Sequence, residues 1–146
     1  MSAESTQNVA PFYWLVGMVQ VAHSIEETVT ELYSKFGPMS AWLHHIFPII
    51  PHFTISADLF AVLNYVMLAL LLGTVPAAAT GSRLGSIFMW SWAIIELLNG
   101  LFHISTWIVL RSYFPGGITG PILFILAIVF MQNLLATDSS AAPAEA

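Results

Sequence analysis

The sequence contains no cysteine and few charged residues. Without cysteine, the chain forms no disulfide and offers no thiolate as a metal ligand or nucleophile. Only 8% of its 146 residues are Asp, Glu, Lys or Arg, and 58% are hydrophobic, whereas soluble domains carry about 25% charged residues. So few charges cannot cover a water-facing surface, and we therefore expect an integral membrane protein with several spans.

Cations are the scarcest charge, since Lys35, Arg83 and Arg111 are the only lysines and arginines. Nucleic-acid binding needs a clustered basic patch, so we predict no nucleic-acid partner. Two short connections carry Lys35 and Arg111, whereas Arg83 lies on the side with both termini. The positive-inside rule therefore favours the Lys35 and Arg111 side as cytoplasmic.

Four segments are long and apolar enough to cross a bilayer, which takes about 20 mostly apolar residues. They cover about residues 11–33, 56–78, 84–110 and 118–135. Pro11 suits the first turn of a helix, and Pro115 with its two following glycines ends the third segment. The sequence predicts an all-α, single-domain, four-transmembrane-helix bundle, followed by a disordered tail at 136–146.

The stretch between the first two helices, residues 36–56, does not fit a span. Prolines and a glycine interrupt it, and it is rich in aromatic residues and histidine. Such a composition is typical of a segment lying in the membrane interface. We expect its histidines to be at home there, with His52 as a candidate for the lid of a site.

Ionisable side chains recur near the ends of the first and third predicted helices. The stretch HSIEE contributes His23, Glu26 and Glu27, and the stretch ELLNGLFH contributes Glu96, Asn99 and His103. Spacings of three, four and seven residues place each group on one helix face. Gly100, in the second group, allows another backbone or a substrate to come close.

The two groups are expected at the same depth. In an up-down bundle the first and third helices run the same way. At 1.5 Å per residue, Glu26 lies roughly 22 Å from Pro11, and Glu96 and His103 lie roughly 18 and 28 Å from Leu84. Asp58 enters the second helix from the same side. It either reaches this layer or caps its helix, where its charge meets the positive dipole end.

A carboxylate in hydrocarbon costs about 2.5 kcal/mol or more, so the layer needs compensation. The groups can share protons and hydrogen bonds, or they can bind metal ions. Imidazole and carboxylate suit zinc, iron or manganese, and the pattern is similar to dinuclear sites in helical bundles. We predict a divalent metal, in one or two ions. The predicted ligands are His23, Glu26, Glu27, Glu96 and His103. The predicted catalytic groups are Glu27, Asn99 and Asp58.

Three motifs, HSIEE at 23–27, ELLNGLFH at 96–103 and YFPGGIT at 113–119, together resemble the HXXEE-domain family of small bacterial membrane proteins. The resemblance covers the chain from the first helix to the start of the fourth. It implies a multi-pass protein of the bacterial inner membrane. The family motifs correspond to His23, Glu26, Glu27, Asn99, His103, Tyr113, Pro115 and Gly116. The resemblance does not supply a reaction.

Three functions fit these residues. The first is a metal-dependent membrane enzyme acting on a lipidic or apolar small molecule that enters from the bilayer. The second is a metal-free acid–base isomerase. The third is an ion carrier or assembly subunit. A carrier of this size would have to form a homo-oligomer, and its polar residues should continue through the membrane, whereas here they stop at one level.

A purely structural interpretation also stays open at this point. The first helix could end early, which would leave His23, Glu26 and Glu27 in water. Glu96 could be a buried carboxyl that only joins helices through Asn99 or Trp92. The proposed site, in contrast, requires the two polar groups to meet in one enclosed cluster.

Overall fold

The structure is a computed structural model that describes residues 3–140, with side chains described for residues 9–137. These residues form helices and turns without a strand, which confirms the predicted all-α class. The α-helices are α1 (Ala3–Val29), α2 (Phe36–Ile46), α3 (Ala57–Gly73), α4 (Val75–Ala79), α5 (Arg83–Leu110) and α6 (Thr119–Ser140). A short 3-10 helix, Leu32–Lys35, joins α1 to α2.

Three stretches of the described chain are long and apolar enough to cross a membrane. They are Ala57–Ala79, Arg83–Leu110 and Thr119–Thr137. Large apolar side chains point outward from these helices, as at Val109, which is 77% exposed, and Ile125, which is 60% exposed. Such an outer surface suits lipid rather than water. The molecule therefore has the composition and helix lengths of an integral membrane protein.

The first predicted span differs from the other three. α1 is the least apolar of the four long helices, because polar and acidic residues occupy its second half. It also begins upstream of Pro11, which lies inside the helix rather than in its first turn. A proline there removes one backbone hydrogen bond, and the helix continues to Ala3 regardless. It ends at Val29, four residues before the predicted end, since Glu31 adopts a left-handed conformation with φ 59°.

The second predicted span is divided at Thr74. Pro76 lies in the first turn of α4 and has no N–H with which to continue the ladder of α3. The Thr74 hydroxyl donates to the Leu71 carbonyl oxygen at 2.8 Å, which covers one end of the break. The helix axis therefore restarts within the membrane-length stretch Ala57–Ala79.

Residues 36–56 form a helix followed by an extended return. α2 has 11 residues, too few to span a bilayer. Pro38 lies in its first turn, where a missing N–H costs nothing. The buried Ser40 hydroxyl donates to the Phe53 carbonyl oxygen at 2.7 Å and accepts from its N–H at 3.1 Å. These two hydrogen bonds to the Phe53 backbone hold the extended segment against α2.

The predicted tail is in part helical. α6 continues through residues 136–140, beyond the predicted end at 135, while residues 141–146 lie outside the described part of the chain. Inside α6, the Asn133 amide donates to the Val129 carbonyl oxygen at 2.7 Å. Side-chain bonds of this kind let polar residues remain in a helix.

α6 lies between α1 and α5, and this packing positions the site. α5 makes its most extensive contact with α6. Within this contact, Gly100 of α5 faces Gly120 of α6. A Cβ on Gly100 would lie 2.6 Å from the Gly120 carbonyl oxygen. The backbones thus touch, as expected for Gly100 from the sequence. The close approach brings the last turns of α5 against the first turn of α6.

Candidate metal centre

Two helices place three ionisable side chains in one cluster, which we call the His–Glu–His cluster: His23, Glu27 and His103. His23 and Glu27 lie one turn apart on α1, and His103 comes from α5. Both imidazole Nε2 atoms lie 3.1 Å from the same carboxylate oxygen, Glu27 Oε1. The two polar groups of the sequence therefore meet, and they do not open separately onto lipid.

The cluster is closed off from solvent. His23 is 0% exposed, His103 1% and Glu27 6%. A carboxylate at such a site has lost its water, and it is stabilised only by the two imidazoles beside it. This burial excludes solvation of His23 and Glu27, whereas Glu26 is only partly buried.

Neighbouring groups contact both rings. A hydrogen bond to the distal nitrogen orients His23, whereas the buried His103 Nδ1 has no partner among the described residues. His23 Nδ1 lies 2.7 Å from the Thr119 hydroxyl, at the start of α6. The two imidazoles stand edge to face, with centroids 4.6 Å apart. The Phe114 ring lies over His103, with centroids 6.0 Å apart. A hydrogen bond to the distal ring nitrogen is the usual way in which a protein orients a metal-binding histidine.

Gly116 is the residue that lets the connection between α5 and α6 lie against the cluster. Its φ is +80°, and a Cβ there would lie 2.4 Å from His103 Cε1 and 2.8 Å from His23 Cε1. Glycine is thus required by both the backbone conformation and the space. The PGG stretch, which is predicted to end the third segment, also forms a wall of the site.

The donor set fits a divalent metal ion. One ligand atom from each of the three side chains lies within 4.8 Å of the others, the only such group in the described part of the chain. Two imidazoles and a carboxylate are the protein ligands of many catalytic zinc sites. The buried His23 Nε2 has no aligned hydrogen-bond partner among the described residues, so this ring nitrogen can serve as a ligand atom.

Glu26, also a predicted ligand, has other partners. Its carboxylate accepts from the Tyr113 hydroxyl at 2.7 Å, from the backbone N–H groups of Ile118 and Thr119 at 3.0 and 2.8 Å, and from the Thr119 hydroxyl. It therefore caps the first turn of α6, where unpaired N–H groups and the helix dipole favour an anion. The HSIEE stretch of α1 is therefore in direct contact with the start of α6.

Glu96 lies close to the His–Glu–His cluster but outside it. The side chain is 0% exposed and close enough to interact electrostatically with His23 and Glu27. One oxygen accepts from the Asn99 amide at 3.5 Å, and the other, Oε1, has no partner among the described residues. The Glu96–Asn99 contact of the purely structural interpretation is therefore present, and Glu96 Oε1 has no partner among the described residues.

Asp58 does not contribute to this layer in the structure. It is exposed in the first turn of α3, where its charge faces the positive end of the helix dipole. The N-cap itself is Ser56, whose hydroxyl accepts from the Leu59 N–H at 3.2 Å. Of the two alternatives for Asp58, the geometry agrees with the helix-end role, because its helix starts at the surface.

The histidines of residues 36–56 are also separate from the cluster. His44, His45 and His52 are all exposed, and His44 Nδ1 lies 2.7 Å from the Ile50 carbonyl oxygen. Their exposure agrees with the expectation that these rings lie at the membrane interface. His52 is exposed, so it is not buried against the cluster as a closed lid residue would be.

Sequence reasoning missed polar contacts away from the cluster. The buried Tyr13 hydroxyl lies 2.6 Å from the Thr74 hydroxyl, in the half of the bundle that was expected to be apolar. Gln20, which is 1% exposed, donates to Ser24 at 3.3 Å, and Ser24 donates to Asn64 at 3.3 Å. Buried positions such as Tyr13 carry no periodic signal, because a tyrosine among apolar residues is typical of ordinary packing.

Comparison with protein-family models gives one match, described as a protein of unknown function with HXXEE motif, over residues 14–131. Among curated proteins and among solved structures, nothing matches the chain. The matched range extends from α1 into α6 and contains the whole His–Glu–His cluster together with Glu26. On this match the chain belongs to the family of proteins of unknown function with an HXXEE motif.

Proposed function

We propose that this protein is a metal-dependent integral membrane enzyme that acts on a lipidic or apolar small molecule. The observation that carries the proposal is the His–Glu–His cluster, in which two imidazoles converge on one carboxylate oxygen at 3.1 Å in a buried site. Structural packing alone does not require three ionisable groups at one point, because apolar residues of similar volume would cost less.

In this proposal the protein is a four-transmembrane-helix bundle of the bacterial inner membrane. α1, with 27 residues, is about 40 Å long, enough to cross a bilayer with its polar stretch facing inward. It packs against α3, α4 and α6 rather than standing alone. Its polar residues are shielded by these neighbours, which is how ionisable residues occur within membranes.

The ion supported best by the donor set is zinc, with iron and manganese as the alternatives. His23, Glu27 and His103 would hold it, and three protein ligands would leave a coordination position for water or substrate. Bound there, the ion would supply Lewis-acid polarisation of a substrate oxygen or activation of a water molecule. A second ion would have to use Glu96, since the Glu26 carboxylate is occupied by the α6 backbone.

Chain residues beside the ion have separate tasks. Thr119 orients His23, and Gly116 with Phe114 keeps water from the two rings. Glu96 is positioned to take up or return a proton through its unpartnered oxygen, with Asn99 holding the other oxygen. A substrate reaching these groups has to leave the bilayer, which favours an apolar molecule.

Metal-free acid–base catalysis is the second candidate, and one observation favours it. Both imidazole Nε2 atoms lie 3.1 Å from Glu27 Oε1, so side chains of the protein itself can support the carboxylate. Neighbouring carboxyl and imidazole groups can move a proton between two carbons of a substrate, as an isomerase requires. Activity that survives complete chelation would favour this candidate over the first.

An ion carrier or assembly subunit is the third candidate. The buried Tyr13–Thr74 pair gives it some support, because polar groups then continue beyond the cluster. A carrier of this size would act as a homo-oligomer, which size measurement in detergent can detect.

Elemental analysis of detergent-purified protein tests the first candidate. We expect about one equivalent of zinc, iron or manganese per chain, and loss of most of it in His103→Ala. His45→Ala is the matched control, since His45 is an exposed histidine on α2. Wild type without bound metal after incubation with each ion, or His103→Ala with wild-type metal content, would overturn the proposal.

A further inference from the structure

A second polar feature faces away from the His–Glu–His cluster, in a groove between α1 and α3. This α1–α3 groove is lined by residues that include Val21, Ser24, Ile25, Ala61, Asn64 and Tyr65, and its volume is about 290 Å³. Successive residues of a helix point about 100° apart, so Ile25 turns away from the side that carries His23 and Glu27. None of the three cluster residues lines the groove. The groove is thus a separate site.

The groove opens on the outer surface of the bundle. Ile25 is 58% exposed and Tyr65 is 71% exposed, although both are large and carry apolar surface. α3 belongs to a stretch that is long and apolar enough to cross a membrane. The opening therefore faces the hydrocarbon region, from which a ligand can enter without passing through water.

One buried polar atom in the groove has no partner among the described residues. Asn64 is 8% exposed, and its side-chain oxygen accepts from the Ser24 hydroxyl at 3.3 Å, while its amide nitrogen Nδ2 is unpaired. Gln20 in turn donates to Ser24 at 3.3 Å, so the three polar side chains form one hydrogen-bonded series. The Asn64 oxygen accepts from Ser24, which leaves the Asn64 amide nitrogen as the unpaired donor.

An unpaired donor inside hydrocarbon specifies the chemistry of a ligand. Lipid tails offer no acceptor, and buried donors are nearly always paired in proteins. The surrounding wall is otherwise almost wholly apolar, and the volume lies at the lower end of the range for ligand pockets. The fitting occupant is thus a hydrocarbon molecule, or part of one, with a single carbonyl oxygen.

We infer that the α1–α3 groove binds a bilayer-dissolved hydrocarbon-chain molecule whose carbonyl oxygen accepts a hydrogen bond from Asn64. Ser24 and Gln20 hold the asparagine in place from behind. The apolar walls of the groove contact the hydrocarbon chain of the ligand on both sides. This binding does not depend on the reaction at the His–Glu–His cluster or on a metal ion there.

Photolabelling of the purified full chain in lipid vesicles tests the inference. The probes are a long-chain methyl ketone that carries a diazirine and the alkane of the same length with the same diazirine. We expect the ketone to label residues 21–29 and 61–68 about five times more strongly than the alkane, the advantage of one neutral hydrogen bond. The labelled residues are located by mass spectrometry of the digested protein.

Two variants and a control sharpen the result. Asn64→Leu should reduce ketone labelling to the level of the alkane, while Asn133→Leu, the same change on α6, should leave the preference intact because its amide bonds within its own helix. Ala61→Leu fills the groove and should reduce labelling by both probes. This variant keeps the inference testable even if Asn64→Leu does not fold.

Three results would overturn the inference. The first is equal labelling of the wild type by ketone and alkane. The second is a ketone preference that survives in Asn64→Leu. The third is a cross-link between the grooves of two chains, which would show that a second copy, and not a lipidic carbonyl compound, occupies the groove.

Discussion

Glu26 and Glu27 are neighbours in the sequence, and the two faces of α1 to which they belong have different environments. Glu27 points between two imidazoles and is almost fully buried. Glu26 points to the start of α6, where two backbone N–H groups and two hydroxyls donate to it. One carboxylate thus faces groups that bind a cation, and the other faces groups that bind only an anion.

The HSIEE stretch therefore makes two kinds of contact. The Glu27 face carries the proposed metal ligands, and the Glu26 face joins α1 to the connection and first turn of α6. The joint matters for the chemistry, since residues 113–119 also include Gly116 and Thr119, which contact the two histidines. A five-residue stretch can therefore position a site and contribute to it at once.

We expect the variants Glu27→Gln and Glu26→Gln to differ strongly in the amount of metal that they bind. Glu27→Gln keeps the shape but removes the charge, and we expect metal affinity to fall at least about 100-fold, because a ligand rather than an outer-shell group is lost. Glu26→Gln should retain bound metal and lower the thermal unfolding temperature instead. Both are measured by isothermal titration with zinc and by thermal unfolding in detergent. Equal metal loss in the two variants would remove the distinction.

Gly116→Ala should have the next largest effect on metal binding. Its Cβ would displace both imidazoles, and the alanine would have to adopt a positive φ. We therefore expect metal affinity to fall by about 10-fold to 100-fold, together with lower stability. Gly73→Ala is the matched control, since a Cβ at that position meets nothing within 4 Å. A Gly116→Ala protein with wild-type metal affinity would show that the turn does not support the histidines.

Thr119→Val connects the two faces, because the Thr119 hydroxyl lies against both His23 Nδ1 and the Glu26 carboxylate. We expect about a 10-fold loss of metal affinity, typical of an outer-shell partner, and a modest loss of stability. Thr119→Ser keeps the hydroxyl and should behave as wild type. If Thr119→Ser were as impaired as Thr119→Val, packing of the methyl group and not the hydroxyl would be responsible.

The smallest effect is expected for Tyr113→Phe, which removes one donor from the Glu26 face only. The side chain is about half exposed, so we expect a loss of about 1 kcal/mol of unfolding free energy and no change in metal affinity.

The pH dependence of this contact follows from the tyrosine. Burial, and then the hydrogen bond to Glu26, raise the pKa of the Tyr113 hydroxyl above its ordinary value. The stabilisation is therefore fully present below about pH 10, where an unfolded tyrosine is still protonated, and declines as the pH rises above that. A difference between wild type and Tyr113→Phe that grows above pH 10 would contradict this assignment.

The sequence predicts much of this arrangement and misses its details for physical reasons. Helical periodicity and rise per residue predict that His23, Glu27 and His103 share a depth, since these depend on backbone geometry alone. The direction of Glu26 depends on where α6 begins, which is a tertiary contact. The exposure of Asp58 depends on where α3 leaves the membrane. The break at Thr74 needs only Pro76, a local signal that a hydropathy pattern does not weigh.

The central claim is that His23, Glu27 and His103 together bind one metal ion, and the location of the ion tests it most directly. Crystals of the purified protein, soaked with zinc, would be measured on both sides of the zinc absorption edge. We predict one anomalous peak about 2.0–2.2 Å from His23 Nε2, Glu27 Oε1 and His103 Nε2. No peak there under saturating zinc, or a peak on the exposed histidines of α2 alone, would contradict the account.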